Sequence, residues 1–103
     1  MTNPVPLACA LAGFDAATAR RYQELRAAMR TAAVARQELP DGYGIRFMPD
    51  PLVFTQLAEW ITLERVCCPF LAFALEWSAP DGVWLKLTGA PDVKRFVGER
   101  LLG

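Results

Sequence analysis

Residues 50–77 read DPLVFTQLAEWITLERVCCPFLAFALEW and contain the pattern that decides the fold. The segment opens with a potential N-cap carboxylate followed by a proline, so a helix is predicted from there to about Val66 or Cys67. The proline at position 69 disfavours helical backbone at Cys68, which predicts that the helix stops or kinks at that point. Beyond it, large apolar residues alternate with small or polar ones, a pattern typical of a strand.

The same periodicities predict elements on both sides of this segment. Strands are predicted at residues 5–12, 34–39, 43–48, 71–78 and 83–88, and helices at 16–35, 51–67 and from 91 onward. The predicted order is therefore β-α-β-β-α-β-β-α. Hairpins that alternate with helices favour an α+β two-layer sandwich, with a mostly antiparallel sheet and helices on one face. The sequence pattern leaves the order of the strands in the sheet open.

Composition predicts one soluble α+β domain that covers residues 1–103. Hydrophobic residues make up 53% of the chain, which is enough for a core. The longest apolar run is too short to span a bilayer, and the first residues lack the pattern of a signal peptide, so no membrane partner and a cytoplasmic location are expected. The chain contains three cysteines, and an odd number in a cytoplasmic protein favours free thiols over a disulfide scaffold.

The charge pattern argues against a nucleic-acid partner. The chain has 11 basic and 11 acidic residues, whereas a nucleic-acid binder needs a concentrated basic surface. One basic cluster is assigned to the first predicted helix, which also carries Glu24, and its members are Arg20, Arg21, Arg26, Arg30 and Arg36. A solvated helix face is the favoured interpretation of this cluster.

The residue types that the chain lacks exclude several classes of catalytic, metal and nucleotide-binding site. The chain contains no histidine, which excludes Ser-His-Asp and Cys-His nucleophile systems and any imidazole-based zinc site within one chain. The glycine-rich motifs of nucleotide-binding loops are also missing. Thiols and carboxylates therefore remain as the reactive groups.

Glu64 occupies an unexpected place on the second helix. If Leu57 is set at the centre of the apolar face, steps of about 100° per residue place Glu64 and Cys68 within about 40° of it. A carboxylate that faces the core costs several kcal/mol unless it is paired, hydrogen-bonded or protonated. Candidate partners are Arg46, Arg65, the backbone donors freed at the helix end, or a bound ligand. Cys68 lies one helical turn from Glu64, so their side chains can be neighbours.

The other two cysteines can be connected to this position. Cys67 is displaced by about 100° from Cys68 on a helix, but could turn towards the same place where the helix breaks. Cys9 shares the core side of the first predicted strand with Leu7 and Leu11, and a helix packed on that side could bring the thiols together. The alternative is that each cysteine packs as a small apolar side chain.

Residues 64–73, ERVCCPFLAF, resemble an E-x-x-C-C-[PS]-F-[FL]-x-F signature of a family of small, largely uncharacterised bacterial α+β proteins. Residues 9–11 and 45–47 are similar to two further strand patterns of that family. The resemblance implies an association with heavy-metal resistance regulation, without an established activity. It also implies that four residues form one site: Cys9, Glu64, Cys67 and Cys68.

The leading hypothesis from the sequence is a soft-metal or metalloid binding protein. Cys67 and Cys68 would be primary ligands, Cys9 a third ligand, and Glu64 a ligand or proton acceptor. Thiolates select soft ions such as Hg(II), Cu(I) or As(III), although such a set could also hold Zn(II).

Two alternatives stay open from the sequence. One is a non-catalytic structural or protein-interaction module, such as a homodimer, whose cysteines only pack. The other is a thiol-based redox or hydrolytic enzyme, for which a lowered thiol pKa would be needed. The sequence leaves open whether the chain has any catalytic activity.

Overall fold

The structure is a computed structural model that describes residues 13–102. The predicted first strand at residues 5–12, which includes Cys9, lies outside the described residues. The elements are α1 (Ala16–Ala32), β1 (Ala33–Leu39), β2 (Gly42–Phe47), α2 (Pro51–Cys67), β3 (Ala72–Ser78), β4 (Gly82–Thr88) and α3 (Pro91–Phe96), which continues into a π-helical turn at Val97–Leu101. This order confirms the predicted α+β class for the described part of the chain.

The four strands form one antiparallel sheet in the order β1-β2-β4-β3. The two hairpins, β1–β2 and β3–β4, are joined through β2 and β4, where Ile45 pairs with Leu85. Gly82 begins β4 with a φ of 100°, a conformation that favours glycine. A Cβ at Gly42 would lie 1.9 Å from the Leu87 carbonyl oxygen, so the junction of the hairpins depends on glycine there.

Both long helices begin where the sequence predicts. The Asp15 carboxylate accepts a hydrogen bond from the Thr18 amide at 2.7 Å, and the Asp50 carboxylate accepts one from the Leu52 amide at 2.8 Å. These contacts satisfy amides that the first helical turn leaves without partners. α2 ends at Cys67 as predicted, because the next residue leaves helical geometry ahead of the proline at position 69.

The predicted end of α1 near residue 35 is wrong by three residues. The helix ends at Ala32, and Ala33 has an extended backbone with φ −69° and ψ 132°. Ala33 pairs with Phe47 and Ala35 pairs with Arg46 in the sheet. Strand pairing therefore overrides the helix propensity of these alanines.

The core lies between the helices and one face of the sheet. The buried apolar residues are Tyr22, Leu25, Ile45, Phe47, Leu57, Trp60, Cys68, Leu71, Val83, Leu85, Leu87, Val93, Phe96, Val97 and Leu101. The opposite face of the sheet is more open, and there the Trp84 ring packs over Gly44. β1 lies at the edge of the sheet, and six of its seven residues are exposed. Within residues 13–102, no helix has both the length and the hydropathy needed to cross a membrane.

Candidate functional site

Glu64 lies in the last turn of α2 and is completely buried. It is the only charged side chain among residues 13–102 that is buried. The prediction that Glu64 faces the core is therefore confirmed. The buried position follows from its spacing to Leu57 and Trp60, which are also fully buried and lie on the same side of α2.

One hydrogen-bond partner of Glu64 comes from α1. The Tyr22 hydroxyl donates to Oε1 of Glu64 at 2.5 Å, and Nη1 of Arg26 donates to the Tyr22 hydroxyl at 3.3 Å. The two arginines predicted as candidate partners lie elsewhere: Nη1 of Arg46 donates to the Asp81 carbonyl, and Arg65 is exposed. The sequence did contain a signal, because Tyr22 lies on the inward stripe of α1 and a buried tyrosine hydroxyl needs a polar partner.

Cys68 is the second neighbour of the Glu64 carboxyl. It caps the C-terminus of α2, its amide donates to the Glu64 carbonyl at 2.7 Å, and its side chain is fully buried. The Cys68 Sγ lies 2.8 Å from Oε2 of Glu64. The prediction that the two side chains are neighbours is therefore confirmed. Tyr22, Glu64, Cys68 and the adjoining Arg26 are called the buried cluster below.

The surroundings shift the proton affinities of both acids in the buried cluster. Burial raises the pKa of Glu64, and this effect outweighs the opposing hydrogen bond from Tyr22 and the charge of Arg26. Burial, followed by the hydrogen bond to Glu64 and the charge of that carboxylate, raises the pKa of Tyr22 to about 12. Tyr22 therefore stays a neutral donor at physiological pH, and Glu64 holds a proton more strongly than an exposed carboxyl does.

Cys68 is disulfide-bonded in this structure. The expectation of free thiols is therefore wrong for Cys68. In this oxidised form, the O–H of a protonated Glu64 is the group that can donate across the contact between Oε2 and Sγ. In a reduced protein the Cys68 thiol could donate to Oε2 instead, so the contact between Oε2 and Sγ can be a hydrogen bond in both redox states.

The remaining predicted site residues are only partly brought together. Cys67 is the last residue of α2 and is half-buried. Among residues 13–102, no group of three or more cysteine, aspartate or glutamate side chains is arranged to hold a metal ion. Cys9 lies outside the described residues. The structure therefore joins Glu64 to Cys68, with Cys67 adjacent in the chain, and leaves the predicted four-residue site untested.

Comparison with models of known protein families, with curated proteins and with solved structures finds no match for this chain. The resemblance of residues 64–73 to the bacterial E-x-x-C-C signature therefore stays a prediction from the sequence. The functional argument depends on the geometry and chemistry of the buried cluster.

Proposed function

We propose that this protein binds a soft metal or metalloid ion in the cytoplasm through the reduced sulfurs of Cys67 and Cys68, with Cys9 as a further ligand. Glu64 acts as the proton acceptor of the site. The observation that carries this proposal is the fully buried Glu64 carboxyl, 2.8 Å from the Cys68 Sγ. The resemblance to a family associated with heavy-metal resistance regulation supports the same function.

A thiol must lose its proton before it can bind a metal ion. Cys68 lies at a helix C-terminus, where the partial negative charge of the helix opposes the formation of a thiolate. A carboxylate in contact with Sγ can compensate, since the proton moves from Sγ to Oε2 as the sulfur–metal bond forms. The raised pKa of Glu64 makes its carboxylate a better proton acceptor than an exposed glutamate.

The number of available donors favours ions that accept few ligands. Structural zinc sites use four protein ligands, whereas the proposed set offers three sulfurs, with Glu64 as the proton acceptor. Thiolates are soft ligands, so two adjacent thiolates should bind the soft ions Hg(II), Cu(I) or As(III) more tightly than Zn(II). We therefore expect the reduced protein to prefer Hg(II) over Zn(II).

Native mass spectrometry of the fully reduced chain with Hg(II), As(III) and Zn(II) tests the proposal. We expect one tightly held Hg(II) per chain that survives competition from a small monothiol. Cys68→Ser and Cys67→Ser should each abolish this resistance to competition, and Cys9→Ser should weaken binding. Glu64→Gln, which keeps the shape of the side chain but accepts no proton, should retain the stoichiometry and shift metal binding to higher pH.

The opposite results would overturn the metal-binding function. If the ion is lost to mild thiol competition, or if binding survives in the Cys67→Ser/Cys68→Ser variant, the cysteines do not form a metal site. Alkylation of the native protein then distinguishes the remaining alternatives. Cysteines that react only after unfolding indicate a structural or homodimeric module in which they pack.

The disulfide at Cys68 favours a second candidate, a thiol–disulfide switch. Reduction of that disulfide by a dithiol transfers two electrons and two protons, and Glu64 is placed to give one of those protons to Sγ of Cys68. The midpoint potential, measured in glutathione or dithiothreitol redox buffers, tests this candidate. Glu64→Gln should change the pH dependence of that potential, whereas an unchanged profile would exclude a proton-transfer role for Glu64.

A further inference from the structure

A cavity of about 460 Å³ opens between α1, the β1 side of the sheet and the C-terminal residues. Its volume falls within the range of about 300–1,000 Å³ that is usual for small-molecule sites. The cavity lies on the side of the sheet that the helices cover, beside the exposed edge strand β1. Of the described site residues, neither Glu64 nor Cys67 and Cys68 line it.

The inner wall of the cavity is apolar. Side chains from β2, β4, α2 and the C-terminal turn form this wall, and they are Ile45, Phe47, Leu85, Leu87, Trp60 and Leu101. Trp60 is completely buried, and within the described residues its indole N–H is the only buried side-chain nitrogen or oxygen without a hydrogen-bond partner. A buried donor without a partner is costly, which makes this N–H a potential contact for a ligand.

Four arginines surround the apolar wall: Arg26, Arg30, Arg36 and Arg100. Among the lining residues that the structure describes, none is an aspartate or a glutamate. The ion pairs found within residues 13–102 involve other cations, namely Arg21, Lys86 and Lys94. Arg26 and Arg36 donate to the backbone carbonyls of Leu101 and Leu102, and neither belongs to an ion pair within residues 13–102.

This grouping differs from the solvated helix face that the sequence favoured. Arg26 and Arg30 belong to α1, but Arg36 lies in β1 and Arg100 in the C-terminal turn. Three elements therefore bring four positive charges to one cavity in a chain whose net formal charge is zero. Guanidinium groups stay protonated and can hold a carboxylate through two parallel hydrogen bonds.

We propose that this cavity binds a small amphiphilic carboxylate, with its apolar body against the inner wall and its carboxylate among the arginines. The apolar wall excludes a strongly polar ligand such as a sugar, because its hydroxyls would find few partners there. The four cations select an anion over a neutral molecule of the same shape. The cavity shares Arg26 with the buried cluster but is lined by neither Glu64 nor Cys68, so the proposal does not depend on metal binding.

Titration of the full-length protein with decanoate, below its micelle concentration, tests the proposal against 1-decanol, which has the same chain length without the charge. Isothermal titration calorimetry should show saturable binding of one decanoate, at least about tenfold tighter than decanol. Binding should weaken as the salt concentration rises, because the contact is between charges near the surface.

Variants at the cavity entrance have a matched control on the same helix. Arg30→Ala and Arg100→Ala should each weaken decanoate binding about tenfold, whereas Arg20→Ala should leave it unchanged. Arg20 is also an exposed arginine of α1 but does not line the cavity. Equal binding of decanoate and decanol, or wild-type affinity in both cavity variants, would overturn the proposal.

The three tryptophans provide a second, site-resolved readout. In a ¹⁵N-correlated NMR spectrum, the indole N–H resonance of Trp60 should shift on addition of decanoate. Trp77 and Trp84 do not line the cavity and serve as internal controls. Shifts confined to Trp77 or Trp84, or no saturable shift, would place the ligand elsewhere and refute the assignment.

Discussion

The buried cluster and the arginine-lined cavity both adjoin helix α1, but they differ in the burial and the partners of their charged groups. In the buried cluster, one carboxyl is removed from water and held by Tyr22 and Cys68 at short distances. Among the arginines of the cavity, Arg30, Arg36 and Arg100 are exposed and Arg26 is half-buried, and none of the four belongs to an ion pair within residues 13–102. Buried polar groups couple strongly to folding, whereas exposed charges contribute little to it. Substitutions in the cluster should therefore change mainly the free energy of unfolding, and substitutions in the cavity should change mainly the affinity for a ligand.

Removal of the Glu64 side chain should have the largest effect. Glu64→Ala leaves a cavity in the core and a buried Tyr22 hydroxyl without an acceptor, so we expect a loss of about 2–4 kcal/mol in the free energy of unfolding. The measurement is urea unfolding at pH 5 under reducing conditions. A matched control is Glu59→Ala on the same helix, since Glu59 makes a surface ion pair with Arg21 and should cost about 1 kcal/mol or less. Equal losses in the two variants would contradict the comparison.

Removal of the Tyr22 hydroxyl should have the next largest effect. Tyr22→Phe keeps the ring in the core but removes the hydrogen bond from Tyr22 to Oε1 of Glu64, which should lower the free energy of unfolding by about 1–3 kcal/mol. The double variant Tyr22→Phe/Glu64→Gln tests whether this loss comes from the pair. Additive effects in that double-mutant cycle would show that the two side chains do not interact energetically.

The pH dependence of stability separates the neutral from the charged form of Glu64. Because the folded pKa of Glu64 is raised above its ordinary value of about 4.5, the folded state holds the proton more strongly than the unfolded state. The stabilisation is therefore complete below that value and is lost as the pH rises through the folded pKa, at up to about 1.4 kcal/mol per pH unit. Unfolding of wild type and Glu64→Gln from pH 4 to 8 should show the wild type losing stability relative to the variant. Parallel curves would argue against a raised pKa.

The cavity arginines should have the smallest effect on folding. Arg30→Ala and Arg100→Ala remove exposed charges that make no ion pair among the described residues, so unfolding free energies should stay within about 0.5 kcal/mol of wild type. Thermal or urea unfolding in the absence of ligand checks this. A loss of 2 kcal/mol or more would mean that the arginines are structural and that the two regions do not differ as described.

Contacts within one element could be predicted from the sequence, and contacts between elements could not. Helical spacing placed Glu64 in the core and Cys68 beside it, since both lie on α2 and their geometry follows from the helix itself. Tyr22 is 42 residues from Glu64 in the chain, and its position depends on how α1 packs against α2. The carboxyl was predicted to need a partner, but its identity required the packed structure.

The grouping of arginines around the cavity could not be predicted from the sequence. Arg30, Arg36 and Arg100 come together only because α1 ends at Ala32, β1 pairs at the sheet edge, and the C-terminal turn packs nearby. The sequence suggested a longer α1, which placed Arg36 on a helix face. One misplaced helix end was therefore enough to hide the grouping of the charges.

Arg26 belongs to both regions, since Nη1 donates to the Tyr22 hydroxyl of the buried cluster while the side chain lines the cavity. The positive charge of Arg26 also lowers the pKa of Glu64, against the effect of burial. An anion held by Arg26 would offset part of that charge and strengthen the hold of Glu64 on its proton. Thermodynamic linkage then requires the reverse: the protonation state of Glu64 must alter the affinity of the cavity by the same factor. One guanidinium would thus make the occupancy of the cavity and the chemistry at Cys68 interdependent.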